Sequence, residues 1–357
     1  MKLSDIQSLV FEPSSNCNAQ CPHCPRFNII QDDVFESTGT LHPNLTLSNL
    51  NFQKILQNLC LDRMTSLREI RITGDKGDPL MNPDIEILLD AVTSLKDRPT
   101  VILTTNGSIR NENWWKNLAK KYPWLIVTFS IDGLQDTNHL YRVGLNYTTI
   151  LRNLSAFTGS GGRAIWKMIL FKHNQHQIKQ VENQAKQLNC EKIIYTQCQI
   201  DRFKGLAQWP VIQKNHTHYI SPADIDLPPT VVFKQLPLPT KVVKKFVTAH
   251  DKNCSWAKIG KIYIGYQGYV LPCCMMHFDA QLDGKNKTYL ENLSQGFDNQ
   301  SLLSNSMEKI LSNPLFNNQL EQSLSSGKWH TTCVKSCKQL ILKNISTTKV
   351  SNSPAML

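Results

Sequence analysis

The densest chemical signal in the chain is Cys17-Asn-Ala-Gln-Cys21-Pro-His-Cys24, three thiols within eight residues. Three thiolates can hold three irons of a [4Fe–4S] cluster and leave the fourth iron open for chemistry. Zinc is the competing occupant, but it wants a closed shell of four ligands, and His23 sits between Cys21 and Cys24, where its side chain is awkwardly placed to join them. A second set, Cys254, Cys273, Cys274, Cys333 and Cys337, lies far down the chain. Four thiolates can enclose a second cluster or a structural zinc ion, because a closed shell of four cysteines discriminates weakly between metals. Cys60, Cys190 and Cys198 fall in apolar segments and read as buried small hydrophobes.

C-x3-C-x2-C on the loop after a first apolar run resembles the signature of the radical S-adenosylmethionine (SAM) superfamily. The resemblance implies that SAM chelates the open iron and that reduction of the cluster cleaves it to a 5′-deoxyadenosyl radical, which abstracts a substrate hydrogen. Thr73-Gly74-Asp75-Lys76-Gly77-Asp78-Pro79 is similar to the superfamily's glycine-rich GGEP segment, with Asp78 in place of the usual Glu and an additional residue between Gly74 and Gly77. By this resemblance Gly74, Gly77, Asp78 and Pro79 bind SAM, joined by Thr105 and Asn106 of Thr104-Thr105-Asn106-Gly107 and by Ser130 and Asp132 of Ser130-Ile131-Asp132-Gly133. The latter segment, with His139 and Tyr141-Arg142-Val143-Gly144, resembles members that carry a C-terminal SPASM extension. Cys254, Gly268 and Cys273, with thirteen residues between the first two, resemble the opening of such an extension, and the count from Gly268 selects Cys273 over Cys274. Cys333 and Cys337 then complete the set for a second, auxiliary [4Fe–4S] cluster. The resemblance further implies a peptide or small-protein substrate and an electron donor such as flavodoxin or ferredoxin.

These groups need a scaffold that brings distant loops together. Candidate strands at Ser8 to Glu12, Leu67 to Thr73, Thr100 to Thr105, Leu125 to Ile131, Ala164 to Phe171 and Lys192 to Cys198 alternate with helical patterns at Asn49 to Leu59, Pro83 to Leu95, Glu112 to Lys121, Tyr147 to Phe157 and Gln175 to Leu188. Asn82-Pro83-Asp84 reads as a helix start, with a capping side chain, proline at the first helical position and an acid in the first turn. Six strands alternating with helices imply an α/β fold with a parallel sheet, either open and doubly wound or, as the resemblance favours, a partial (β/α)6 TIM-like barrel. In both, the site belongs at the carboxyl ends of the strands. The expected organisation is a barrel over 1–203, a proline-rich bridging segment over 204–252, a SPASM-like domain over 253–342 opening with a hairpin turn at Gln267-Gly268, and a Ser/Thr/Asn-rich disordered tail over 343–357.

A chain of 357 residues, 41% hydrophobic, can bury one large core or two unequal ones. Eleven cysteines in tight groups, in a chain whose start lacks a secretory pattern, favour thiolate ligands over disulfides and a cytoplasmic location. No apolar run is long enough to span a membrane. The net charge of +11 invites a nucleic-acid partner, but basic residues are spread out, with one modest cluster at Lys241, Lys244 and Lys245 and no nucleic-acid motif. Two further readings stay open: the same fold acting on RNA or a nucleotide, and an iron–sulfur or zinc protein that carries electrons or scaffolds a partner without cleaving SAM.

Overall fold

The computed structural model describes residues 1–198 apart from 23, 25, 27, 28, 32, 33 and 37–44, and then 208–213, 216–234, 256, 259–274, 276 and 297–320. Chain order gives strands β1 (Ser8–Phe11), β2 (Ile29–Gln31), β3 (Val34–Glu36), β4 (Glu69–Ile72), β5 (Thr100–Thr105), β6 (Ile126–Ser130), β7 (Arg163–Leu170) and β8 (Lys192–Gln197). Beyond them are β9 (Trp209–Gln213), β10 (His216–Ile220), β11 (Val231–Val232), β12 (Lys261–Ile264) and β13 (Val270–Leu271). The helices are α1 (Asn49–Leu59), α2 (Glu86–Thr93), α3 (Glu112–Lys121), α4 (Asn138–Tyr141), α5 (Tyr147–Gly159), α6 (Ile178–Gln187) and α7 (Met307–Leu311).

All six expected strands form and pair in parallel in the order β1-β4-β5-β6-β7-β8. This order advances in one direction and never reverses, which is the winding of a partial barrel and not of a doubly wound sheet. Side chains on one face of the sheet meet the helices: Phe11 stacks on Phe52 of α1 at 5.5 Å, and Trp115 of α3 lies 5.1 Å from Phe129 and 5.6 Å from Phe157 of α5. Gly107 permits this closeness, since a Cβ there would stand 2.6 Å from the Phe129 ring and its φ of +75° suits glycine. Ser48, Asn111 and Asn146 cap α1, α3 and α5, each side chain accepting a backbone N–H from the first turn.

The structure departs from the expected elements in three places. Asn82 does accept from the Asp84 N–H at 2.8 Å, but regular helix begins only at Glu86, and the Asn82 amide nitrogen bridges the Pro13 and Leu47 carbonyls. The proline-rich segment holds an antiparallel hairpin, β9–β10, which buries Trp209 and Val211 on one side, so proline-rich composition masked a period-two pattern. The expected hairpin around Gly268 is present as β12–β13, with Gly268 at φ +80°. Instead of standing apart, β12 pairs in parallel with the free edge of β1, Ser8 opposite Lys261 through Phe11 opposite Ile264. Leu302, Met307, Ile310, Leu311 and Leu315 join the same hydrophobic core as the barrel strands.

Trp166 on β7 is fully buried and donates its indole N–H to the Ile131 carbonyl at 3.0 Å. Trp166→Ala should therefore destabilise the fold by about 3–5 kcal/mol, read as a lowered urea midpoint.

Candidate functional site

The loops at the carboxyl ends of β1, β4, β5 and β6 fold onto one another. The loop after β1 carries Cys17, Cys21 and Cys24, and its backbone takes one face of the glycine-rich loop after β4: the Asp78 N–H donates to the Asn16 carbonyl at 2.7 Å. Gly77 is the contact point. A Cβ there would lie 2.1 Å from the Ser14 carbonyl oxygen and 2.7 Å from that of Asn16, so only glycine lets the loops meet. Gly74 is equally confined, with the Gly77 carbonyl oxygen 1.8 Å from where its Cβ would be.

Asp78 is buried and its carboxylate accepts four times: from the Leu80 N–H at 3.0 Å, from the Thr105 hydroxyl at 2.9 Å to each oxygen, and from the Asn106 N–H at 2.7 Å. Burial still pushes its carboxyl above the ordinary range, with these donors pulling the other way. Sequence resemblance assigns Asp78 to SAM; its bonds here go to the protein, knitting β4 to β5. Pro79 opens the short 3-10 turn Pro79–Met81 behind it. Thr105 serves Asp78, whereas Asn106 reaches the cysteine loop, donating through Nδ2 to Asn18 Oδ1 at 2.9 Å and to Cys17 Sγ at 3.8 Å.

On the other side, Asp132 is fully buried, accepts the Ile169 N–H at 2.6 Å and pairs with Arg142 Nε at 2.6 Å. Arg142 passes this on, its Nη1 standing 3.7 Å from Cys21 Sγ. Asp132 thus acts on the loop through Arg142, which sequence reading noticed only as part of a motif. Ser130 ends β6 nearby, in register with Lys167 of β7.

The three thiols lie within electrostatic reach of one another, and burial pushes Cys17 up to about 11, Cys24 up to about 12 and Cys21 upward as well. Thiols held protonated in this way would bind a metal only by giving up their protons to a base or to solvent, so metal binding here would be coupled to proton release. N–H donors aim at two of the sulfurs, Cys17 from Ala19 at 3.4 Å and from Asn106, and Cys21 from Arg142. Such donors suit iron-bound thiolates, whose charge they spread. The donor set therefore fits a cluster, although among the described residues no three His, Cys, Asp or Glu groups close around a single ion.

A further buried group escaped the sequence. Glu12, one residue past β1, accepts the Lys76 and Gly77 N–H groups at 2.7 and 3.3 Å and the hydroxyl of Tyr263 on β12. Asp75 beside it is linked to the Cys274 thiol. The residues that lengthen the glycine-rich loop thereby reach the C-terminal segment. Cys273 is half-buried next to this link, and Cys254, Cys333 and Cys337 lie outside the described residues. Among the described residues no helix is long and apolar enough to cross a membrane.

No protein-family model matches the chain. It is 26% identical over 161 residues to a GTP 3′,8-cyclase of Staphylococcus aureus, a match covering 44% of this chain and 43% of the cyclase, so the chain spans less than half the length of that relative. In fold it is similar to Streptococcus suis SuiB bound to precursor peptide SuiA, at TM-score 0.56 and 14% identity over 89% of this chain and 67% of SuiB. It is likewise similar to anSMEcpe with bound AdoMet and Cp18Cys peptide, at TM-score 0.53 and 14% identity over 94% and 86% of the two chains. Together these likenesses support the radical SAM superfamily resemblance carried by the cysteine motif.

Two outcomes follow from this geometry. Gly77→Ala should force the cysteine loop away and lower the iron and sulfide bound per chain after reconstitution, while Gly159→Ala, where a Cβ meets nothing within 4 Å, should not. Burial raises the Glu12 carboxyl from 4.5 to about 7, Asp75 adding to the rise. A folded state that holds its proton more tightly than the unfolded chain loses stability as pH rises between those values. Glu12→Gln should flatten that decline, measured as urea midpoints at pH ~5 and ~7.5.

Proposed function

We propose that the protein is a radical SAM enzyme in which Cys17, Cys21 and Cys24 hold a catalytic [4Fe–4S] cluster and that its substrate is a peptide or small protein. The observation that carries this reading is the gathering of three thiols, Cys21 buried and Cys17 and Cys24 half-buried, with N–H donors aimed at two of them, against a glycine-constrained loop at the carboxyl end of a partial barrel. When bound, a three-thiolate cluster with SAM supplies a 5′-deoxyadenosyl radical able to take a hydrogen atom from an unactivated carbon.

The chain's own residues do the rest. Gly74 and Gly77 keep side chains out of the loop that would face SAM, and Asp78 with Thr105 fixes that loop to β5. Ser130, at the end of β6, is the polar group left to meet the ligand. Arg142, oriented by Asp132, sets a positive charge beside Cys21, which favours the thiolate over the thiol. Burial of Cys21, with Cys17 and Cys24 half-covered, limits the water that reaches a site whose products would otherwise be quenched.

Cys254, Cys273, Cys333 and Cys337 would hold an auxiliary [4Fe–4S] cluster, with Cys274 set apart from that set by its link to Asp75. A small electron-transfer protein such as flavodoxin or ferredoxin would supply the reducing electron. The peptide assignment draws on SuiB and anSMEcpe, whose structures hold peptides. A nucleotide substrate is the second reading, favoured by the partial match to a GTP 3′,8-cyclase.

Anaerobic reconstitution with iron and sulfide, followed by SAM and a strong reductant, should yield 5′-deoxyadenosine detectable by mass. A variant with Cys17, Cys21 and Cys24 all changed to Ala should yield none. A cluster-loaded wild type that forms none, even with candidate peptides and nucleotides present, would return the protein to the electron carriers and scaffolds.

A further inference from the structure

Strand register assigns every barrel residue to a face. Phe11, Ile72, Leu103 and Phe129 share the helix-facing side fixed by the Phe11–Phe52 and Trp115–Phe129 contacts. The residues between them face the lumen, Arg71 on β4, Thr104 on β5, Ser130 on β6 and Lys167 on β7 among them. Helix-facing side chains are almost wholly buried, whereas Arg71, Ile102, Thr104, Lys167 and Thr196 keep part of their surface accessible. The lumen face of the sheet therefore keeps accessible surface, and it carries charge.

The charges are unequal. Lys167 is depressed below the usual lysine range, first by burial and then by Arg142 and Arg71, with Asp132 opposing. Two of these three cations have partners: Arg142 is held by Asp132, and Arg71 donates through Nε and Nη2 to the two oxygens of Glu69 at 2.7 and 3.0 Å. Lys167 makes no ion pair among the described residues, so it is the uncompensated charge of the group. A cation kept partly dry beside two others without a counter-ion costs folding free energy, which a ligand anion would recover.

We propose that Lys167, assisted by Arg71, anchors a single carboxylate of the substrate, an acidic side chain or a C-terminus of a peptide, on the lumen face of the sheet beside Ser130. The proposal rests on the enzyme reading above and names the group that reading leaves open. One surplus positive charge matches a monoanion, whereas a triphosphate would require several. Lys167 pairs in register with Ser130 and Ile194, so an anchored carboxylate sits beside the strand end expected to line the SAM pocket. There it would hold the neighbouring carbon chain in reach of a radical generated above it.

The test uses the reconstituted full chain with SAM and ligand-observed NMR. The probes are N-acetylglutamate α-methylamide, its uncharged glutamine counterpart, and GTP as the phosphate source. The wild type should bind the glutamate probe and not the glutamine one. Lys167→Gln should weaken that binding about tenfold, as loss of one charged hydrogen bond would, while Lys167→Arg retains most of it. Lys192→Gln, a cation on the neighbouring strand, should change nothing. Equal binding of the glutamine probe, unaltered binding by Lys167→Gln, loss in both Lys167 variants, or preferential binding of GTP through Lys167 would overturn the assignment. Formation of 5′-deoxyadenosine by the wild type is measured alongside. Charge-dependent binding without it sinks the enzyme reading and leaves the anchor, and the reverse result sinks the anchor alone.

Discussion

The site depends on one buried carboxylate. Asp78 collects hydrogen bonds from three donors on two loops, the Thr105 hydroxyl shared between its oxygens, and sends its own N–H to a third loop, so the ends of β1, β4 and β5 are fixed relative to one another by a single residue. A buried carboxylate is tolerable only when so many donors surround it. That requirement ties the glycine-rich loop to the strand ends rather than leaving it to solvent. Asn106 then carries the same constraint to Cys17, and the Asp132–Arg142 pair repeats the device for Cys21 from the opposite side. The cysteines are the chemical groups, but two aspartates position them.

Most of the barrel was legible because period-two apolar runs and 3.6-period helical patterns alternated with little interruption. The six parallel strands β1 and β4 to β8, with the helices between them, belong to this readable class. Local pattern could not say whether the sheet wound one way or doubled back, since that is decided by which strands pair. It also missed β9–β10, where Pro210 and the exposed His216 and Thr217 hide a short hairpin. Pairing of β12 with β1 joins residues about 250 positions apart, and no local window contains such information.

The candidate site divides in the same manner. The cysteine spacing and the order of the strand-end segments were readable, because each sits in one stretch of sequence. Their division of labour was not. Asp78, Thr105 and Asp132 resemble ligand contacts by motif, yet each spends its polar atoms inside the protein. Arg142 and Glu12 matter through partners on other elements, and only register and burial reveal them. The lengthening of the glycine-rich loop looked like a defect in the motif; in three dimensions Asp75 and Lys76 bind the loop to Glu12, Tyr263 and Cys274.

The pairing of β12 with β1 also has a temporal side. During synthesis the first strand emerges early, while its second neighbour is made only after nearly all of the barrel. At ribosomal speeds that interval is on the order of tens of seconds, and an unpaired apolar strand is an invitation to aggregation or wrong pairing. The nascent barrel must therefore wait, partly open, with its cysteine loop at the unprotected edge. Closing that edge draws Cys273 and Cys274 to the barrel in the same movement, so the two cysteine-bearing segments meet only once most of the chain has left the ribosome.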